Sequence, residues 1–381
     1  MRLYAPNGAI RNVQVSPINP GVAPRTLGID EITLYGITAN LTIAKSIDGW
    51  QTRQNIHTFT EGTIVTNIRE LQNGELLVTV REENYQGSGL TVEHIYISSS
   101  VITVWTKTLT TSARLGSLWG TSIYDNVILL TTYDENYTNS HAYLSLDYGK
   151  TFKTVFQGPV TPYNRFHIHD CEYDPWTGML WLVCGDEPAG SRYFFSPNWG
   201  VNWYDVAEGM TVGYQDTGVL ALPDRLLFAP DDGPSAIRQI LKNKYNTPKY
   251  THREVENVFV DGGDQQSGVL RVGQMTIAYW ASKQNSLVQK YKKPYNLICV
   301  FRERPLIVCS GDGVKWYSLV NLRTVFGTDP AECGEILVQR FLGPDKNGKI
   351  YLVVRTNAGN VIDPLNHYWF LKADFPSWEL I

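Results

Sequence analysis

Ser145-Leu-Asp147-Tyr-Gly149-Lys-Thr151-Phe152 and Ser196-Pro-Asn198-Trp-Gly200-Val-Asn202-Trp203 repeat one layout 51 residues apart. Shorter versions stand at Ser46-Ile-Asp48-Gly49-Trp50 and Ser310-Gly-Asp312-Gly313-Val-Lys-Trp316. The shared pattern is Ser-x-Asp/Asn-x-Gly-x-Thr/Asn-aromatic, with one Gly shifted in the short versions. An Asp or Asn bonds its own backbone two residues on, Gly accepts positive φ, and the aromatic buries at the root of the next strand. Those are the parts of a tight hairpin loop. A hairpin that recurs in this way restricts the chain to a repeat architecture.

A second repeat emerges when the apolar runs are stacked. The runs start at Glu75, Val127, Met179, Arg225, Thr276 and Lys349, at spacings of 52, 52, 46, 51 and 73 residues, each of the first four following a turn sequence. A spacing near 50 with four short strands per unit is the mark of propeller blades. Within a unit, an inner strand turns into a second apolar strand, a third carries the Ser-Asp turn, and a fourth carries its aromatic. Blades are expected near 60–110, 112–160, 163–210, 212–260, 265–325 and 332–381. The segment 28–58 adds a seventh, whose inner strand comes from the first 27 residues or by strand exchange. The expected fold is all-β, a seven-bladed β-propeller of four-stranded antiparallel blades, with six blades as the alternative. Residues 1–27 are expected as an extended N-terminal arm, because Pro17–Pro24 is Pro-rich and Pro has no place in a central ladder. Residues 28–381 form the propeller domain. Loops are expected at 241–266 and 283–296.

The repeated turn resembles the Asp-box, or bacterial neuraminidase repeat, of β-propellers such as sialidases, xyloglucan-degrading enzymes and sortilin-type receptors. The resemblance implies that Asp48, Asp147, Asn198 and Asp312 are structural, on the outer side of a blade and away from chemistry. It also implies what a sialidase would need: an Arg-Ile-Pro motif near the N-terminus, an arginine cluster, a Tyr–Glu pair and an Asp acid. No Arg-Ile-Pro is present, and Phe301-Arg-Glu-Arg304-Pro305 lies far downstream. Sialidase activity is therefore not expected.

Composition narrows the class. The 11 Trp, 22 Tyr and 13 Phe suit strands, and 32 Gly and 19 Pro supply turns. A net charge of −4 gives no basic stripe for nucleic acid, and Lys242-Asn-Lys244 and Lys290-Tyr-Lys292-Lys293 read as solvated loops. No apolar run reaches the roughly 18 residues of a membrane span, and the start lacks a secretory core. Synthesis in the cytoplasm, with reduced thiols, is expected from five unpaired cysteines at 171, 184, 299, 309 and 333. Cys171 and Cys184, on neighbouring strands, are the one candidate bridge.

Candidate chemistry sits where the second strand ends beside the start of the inner strand. Glu82-Glu83, Asp134-Glu135 and Asp186-Glu187 occupy that place in three successive blades, and Asp231-Asp232 nearly so in the next. They form an acidic rim, or else they merely begin solvated loops. Phe166-His167-Ile-His169-Asp170-Cys-Glu172 alternates along an inner strand, which sets His167 and His169 on one face. With Asp186 and Glu187 they are candidates for a polar ligand, and for a divalent Zn or Mn ion; no other cofactor is expected. Trp119, Tyr214, Asp216 and Arg271 begin other inner strands and suit a sugar, with its apolar face and rim of hydroxyls. No catalytic residue is marked. The expected function is a carbohydrate- or surface-polymer-binding propeller, of the kind a virion or phage tail uses as receptor-binding protein, its arm docked in the assembly. The alternatives are a glycoside hydrolase with a carboxylate pair in the funnel, and a protein-binding scaffold or assembly factor.

Overall fold

The computed structural model describes residues 4–19, 21–62, 64–82, 91–112, 114–115, 120–133, 140–158, 167–185, 191–206, 215–231, 236–242, 256–260, 278–284, 293–301, 306–326, 336–357 and 366–380. Among them the chain forms seven antiparallel sheets built on four strands each, the blades of a seven-bladed β-propeller. Helix is confined to Arg323–Phe326 and a 3-10 turn at Ala281–Gln284. Contacts divide the chain into two compact units, one of residues 61–67 and 71–279, the other of 1–60, 68–70 and 280–381.

The first unit carries blades 2 to 5. Blade 2 runs Ile64–Glu70, Leu76–Glu82, Val92–Ser98 and Trp105–Thr111. Blade 3 runs Thr121–Tyr124, Val127–Tyr133, His141–Ser145 and Lys153–Gln157, with Arg114–Leu115 pairing the far end of its second strand. Blade 4 is Ile168–Asp174, Met179–Cys184, Arg192–Ser196 and Tyr204–Asp205. Blade 5 is Asp216–Ala221, Arg225–Pro230, Ala236–Leu241 and Glu256–Val260. The last of these strands lies inside the stretch 241–266 that was expected as a loop. The core sits between neighbouring blades. Leu129, Leu144 and Phe156 of blade 3 bury against Cys171, Leu182 and Phe194 of blade 4, and Trp181, Tyr193 and Phe195 against Val219, Phe228 and Ile240 of blade 5. At about 1.5–3 kcal/mol per large side chain removed from water, these layers dominate the stability of the unit.

The second unit carries blades 1, 6 and 7. Blade 1 runs Pro24–Leu27, Leu34–Ala39, Thr42–Ser46 and Gln54–Thr58. Blade 6 is Ala278–Trp280, Leu297–Phe301, Leu306–Ser310 and Tyr317–Asn321. Here the sequence alignment slips by one strand. The run from Thr276 supplies the inner strand and not the second, which begins at Leu297, 72 residues after Arg225 and 52 before Lys349. A short buried apolar run has the same pattern in either place, so the blade's long insertion went unnoticed.

Blade 7 runs Ile336–Leu342, Lys349–Asn357 and Asn366–Asp374, and its outer strand is Arg11–Pro17. The segment 1–27 is therefore no free arm. It gives blade 7 an edge, blade 1 its inner strand, and a third strand, Tyr4–Pro6, paired with Trp378–Leu380. The prolines sit where a missing N–H costs nothing to the ladder: Pro17 ends an edge strand and Pro24 begins one.

The recurring turns join strand three to strand four in blades 1, 3, 4 and 6. In blade 3 the Ser145 hydroxyl donates to Asp147 Oδ1 at 2.7 Å and accepts from Gly149 N at 2.8 Å. Asp147 Oδ1 accepts from Thr151 N at 2.9 Å, and its Oδ2 from the Thr151 hydroxyl at 2.6 Å. Asp48 repeats the set with Ser46 and Thr52, and Asn198 repeats the Oδ1 half with Ser196 and Asn202. Blade 6 lacks the Thr, and Asp312 Oδ2 is buried without a partner. The loops of blades 1, 3 and 4 also press on the preceding blade. A Cβ on Gly200 would stand 2.4 Å from Val155, and the Trp203 indole donates to Val155 O at 2.6 Å.

Two outcomes are expected. Removing residues 1–17 deletes an edge strand whose side chains all face solvent, so the loss is of backbone bonds at about 0.5–1.5 kcal/mol each. The melting temperature should fall by several degrees, whereas Val13→Ser with Val15→Ser should leave it nearly unchanged. The Asp48 carboxyl is held down to about 2 by the Thr52 hydroxyl and amide, with burial pulling weakly the other way. A folded value below the unfolded one means the stabilisation is complete above about pH 4 and is lost as pH falls through the folded value. Acid unfolding followed by circular dichroism should therefore be steeper between pH 4 and 2 for the natural protein than for Asp48→Asn.

Candidate functional site

Each second strand in the first unit returns to the start of its inner strand. Thr131 N donates to Gly120 O, Gly185 N to His167 O, and Asp231 N to Gln215 O, at 2.7–2.9 Å. In blades 4 and 5 the residue just after the second strand thus stands beside the inner-strand start, while in blade 3 the second strand runs on to Tyr133, which pairs with Arg114. Glu83, Asp134, Glu135, Asp186, Glu187 and Asp232 of the expected rim lie outside the described residues, as do Trp119, Tyr214 and Arg271. The two described rim residues are engaged within their own blades. Glu82 Oε1 meets His94 Nε2 at 3.3 Å, and Asp231 Oδ2 accepts from Gln215 Nε2 at 3.0 Å.

His167 and His169 do come together. Their Nε2 atoms are 2.7 Å apart, and His169 Nδ1 is 2.7 Å from Asp216 O. A carbonyl only accepts, so His169 carries its proton on Nδ1 and offers Nε2 as acceptor. His167 then donates from Nε2. One hydrogen serves both rings, and a second proton between them would force two N–H groups head to head. The ring of Tyr133, from the end of the neighbouring second strand, lies 4.4 Å from His167 and 6.2 Å from His169. A bulge at His169 lets both histidines turn to this side, since Ile168 pairs Cys184 while Asp170 pairs Val183. The pair is 1% and 2% exposed, an inner layer of this end of the blades and not its surface.

Asp216 begins the next inner strand and is wholly engaged. Its Oδ2 accepts from the Tyr193 hydroxyl and its Oδ1 from Arg238 Nη1, all three groups being buried. Asp170 takes a part in the fold. Its Oδ1 accepts from Cys171 N at 2.8 Å and its Oδ2 from Val219 N, also at 2.8 Å, on the adjacent inner strand. Glu172 continues this, with Oε1 accepting from Ala221 N at 3.2 Å and Oε2 from the Ser122 hydroxyl at 2.9 Å. The two residues tie the inner strands of blades 3, 4 and 5 together.

Other expectations fall differently. Lys242, expected in a solvated loop, is buried. Its ammonium meets Asp174 Oδ2 at 2.6 Å, donates to Leu222 O, and stands 5.0 Å over the Trp176 ring. Burial lowers its pKa and Asp174 opposes that. Cys171 and Cys184 are separate thiols, and burial raises that of Cys184 well above the ordinary value. Gln215 falls in the expected inner-strand start Tyr214 to Asp216, whereas Tyr133, Tyr193 and Arg238 reach the site from second and third strands that no expectation marked.

No family model matches the chain, and no curated protein matches it. Solved structures do. A structure of YCF48 bound to D1 peptide is 14% identical with a TM-score of 0.53, over 97% of this chain and 99% of that one. A catalytically inactive virginiamycin B lyase from Staphylococcus aureus with quinupristin is 11% identical, TM-score 0.55, over 94% and 98%. A GH74 xyloglucanase from Xanthomonas campestris is 13% identical, TM-score 0.53, over 94% of this chain and 55% of that one. At such identities the likeness shows the propeller fold alone. No helix among the described residues is long and apolar enough to cross a membrane.

Glu172→Ala should leave the Ala221 amide and the Ser122 hydroxyl without their acceptor, at about 1–3 kcal/mol for each buried donor. Thermal denaturation should show a markedly lower midpoint, while Glu82→Ala, at a half-buried rim position, should change it little.

Proposed function

We propose that this protein is a non-catalytic β-propeller that binds a carbohydrate or another surface polymer at the end of the blades where the second strands finish. Its repeated Ser-Asp turns are read as Asp-boxes, with a structural role. One observation carries the non-catalytic part. Asp170, Glu172, Asp174 and Asp216, the carboxylates of the described inner strands in blades 4 and 5, hold backbone amides, a buried arginine, a buried lysine and hydroxyls. A glycosidase needs two carboxyls free to meet one bond, about 5–5.5 Å apart for retention or 6.5–9.5 Å for inversion. Carboxylates that brace strands cannot also supply that pair. The binding part rests on the sequence pattern, which sets Trp119 and Tyr214 at inner-strand starts and Asp186 and Glu187 after a second strand in blades 3 to 5. Aromatic faces cover an apolar sugar face, while carboxylates meet its hydroxyls. A polymer on a host surface is the ligand such a propeller would meet as part of a virion or phage tail.

A protein partner is the second reading, favoured by the likeness to a propeller with a peptide bound. A glycan array and a panel of chromogenic glycosides separate the cases. Retention of at least one glycan without turnover is expected, and Trp119→Ala or Asp186→Ala should weaken it about tenfold, some 1.4 kcal/mol, with unchanged melting. Turnover abolished by Asp186→Ala would establish the hydrolase instead. A blank array would leave the protein-binding reading in its place.

A further inference from the structure

One face of blade 2 carries a row of polar side chains that the binding end does not use. Glu82 closes the second strand, His94 and Tyr96 stand on the third, and Lys107 and Thr110 on the fourth, with His94 opposite Thr110 and Tyr96 opposite Lys107. Glu61, just ahead of the inner strand, is laid over this row. Its Oε2 accepts from the Lys107 ammonium and from the Tyr96 hydroxyl, the latter at 3.2 Å. His94 is fixed from behind, its Nδ1 2.9 Å from Thr110 Oγ1, and its Nε2 points to Glu82 Oε1 at 3.3 Å. One ligand atom from each of Glu61, Glu82 and His94 lies within 4.8 Å of the other two. His94 is 6% exposed while Glu61 is open to solvent, so the set is closed at the back and open in front.

We propose that Glu61, Glu82 and His94 form a zinc site, with the fourth position left to water. Zinc takes imidazole nitrogen and carboxylate oxygen at about 2.0–2.2 Å, and a tetrahedron with such bonds sets its ligand atoms about 3.3–3.4 Å apart. The His94–Glu82 separation already has that value. Thr110 offers the outer contact that metal-bound histidines have: with the ion in place its oxygen would accept Nδ1–H, leaving the Nε2 lone pair for the metal. Glu61 needs only to turn from the Lys107 ammonium, which keeps the Tyr96 ring beside it, with the centroid 6.0 Å away. In the metal-free protein the Lys107 ammonium pairs with the Glu61 carboxylate. Lys107 and the ion therefore compete for one place, and this competition is what sets the site apart from a surface ion-pair network.

Titration calorimetry of the full chain with zinc chloride tests this. The natural protein should take up zinc, and His94→Gln and Glu61→Gln should each weaken it about tenfold or more, as losses in and around zinc shells do. Lys107→Met should tighten it several-fold, because the competing cation is gone. Glu61 and Lys107 are exposed enough that metal-free melting curves should match the natural protein, which separates lost binding from lost folding. No zinc uptake by the natural protein, or affinity unchanged in both His94→Gln and Lys107→Met, would overturn the site. Neither outcome bears on glycan binding, which lies with other residues.

Discussion

An inner strand of a propeller blade is a sheet edge turned inward, and its outward-pointing amides have no ladder partner within the blade. Buried amides without acceptors are costly, so something must reach across to them. In blades 4 and 5 the answer is a pair of carboxylates. Asp170 and Glu172 leave one inner strand and accept from Val219 N and Ala221 N on the next. Their spacing of two residues matches the two-residue repeat of the amides they serve, so both side chains point the same way. His169 makes the third link, through Asp216 O. The placing of the histidine pair, the tyrosine over it and the buried Asp216–Arg238 pair all follow from how these strands are held.

The outer ends of the blades are managed by a different device. Each Ser-Asp turn closes its own hairpin, and those of blades 1, 3 and 4 also press on the blade before them, as Gly200 does on Val155. The left-handed backbone at Tyr148–Gly149 and Trp199–Gly200 brings the loop that close. Gly is required at the second position because a Cβ there would meet the neighbouring blade, besides its freedom at positive φ. The two devices act at different radii: carboxylates join the inner strands, and turns join the outer ones.

These arrangements bear on function by subtraction. Acidic residues on inner strands invite a catalytic reading, yet those described here brace the fold. A ligand site is therefore to be sought outside these braced carboxylates, and loops are where recognition commonly sits while strands carry position. Blade 2 departs from its neighbours by placing a histidine and two carboxylates on one open face, balanced by a lysine.

The blades, their order and the Ser-Asp turns were legible in the sequence because each depends on residues close together in the chain. Ser145, Asp147 and Thr151 bond one another within a single loop, and a 50-residue period needs no knowledge of which blade touches which. Tertiary structure decided the rest. Lys242 sits in a stretch of polar residues, and only the approach of Asp174 and Trp176 from blade 4 makes it a buried cation. Asp170 and Glu172 alternate like ligands, and only the neighbouring strand's amides make them braces. Residues 11–17 bury none of their side chains, Val13 and Val15 included, so this edge strand is held mainly by its backbone and its partner is not marked in the sequence. Side chains that bond to their own turn can be read from the order of residues; those that serve a strand fifty residues away acquire their role when that strand is set beside them.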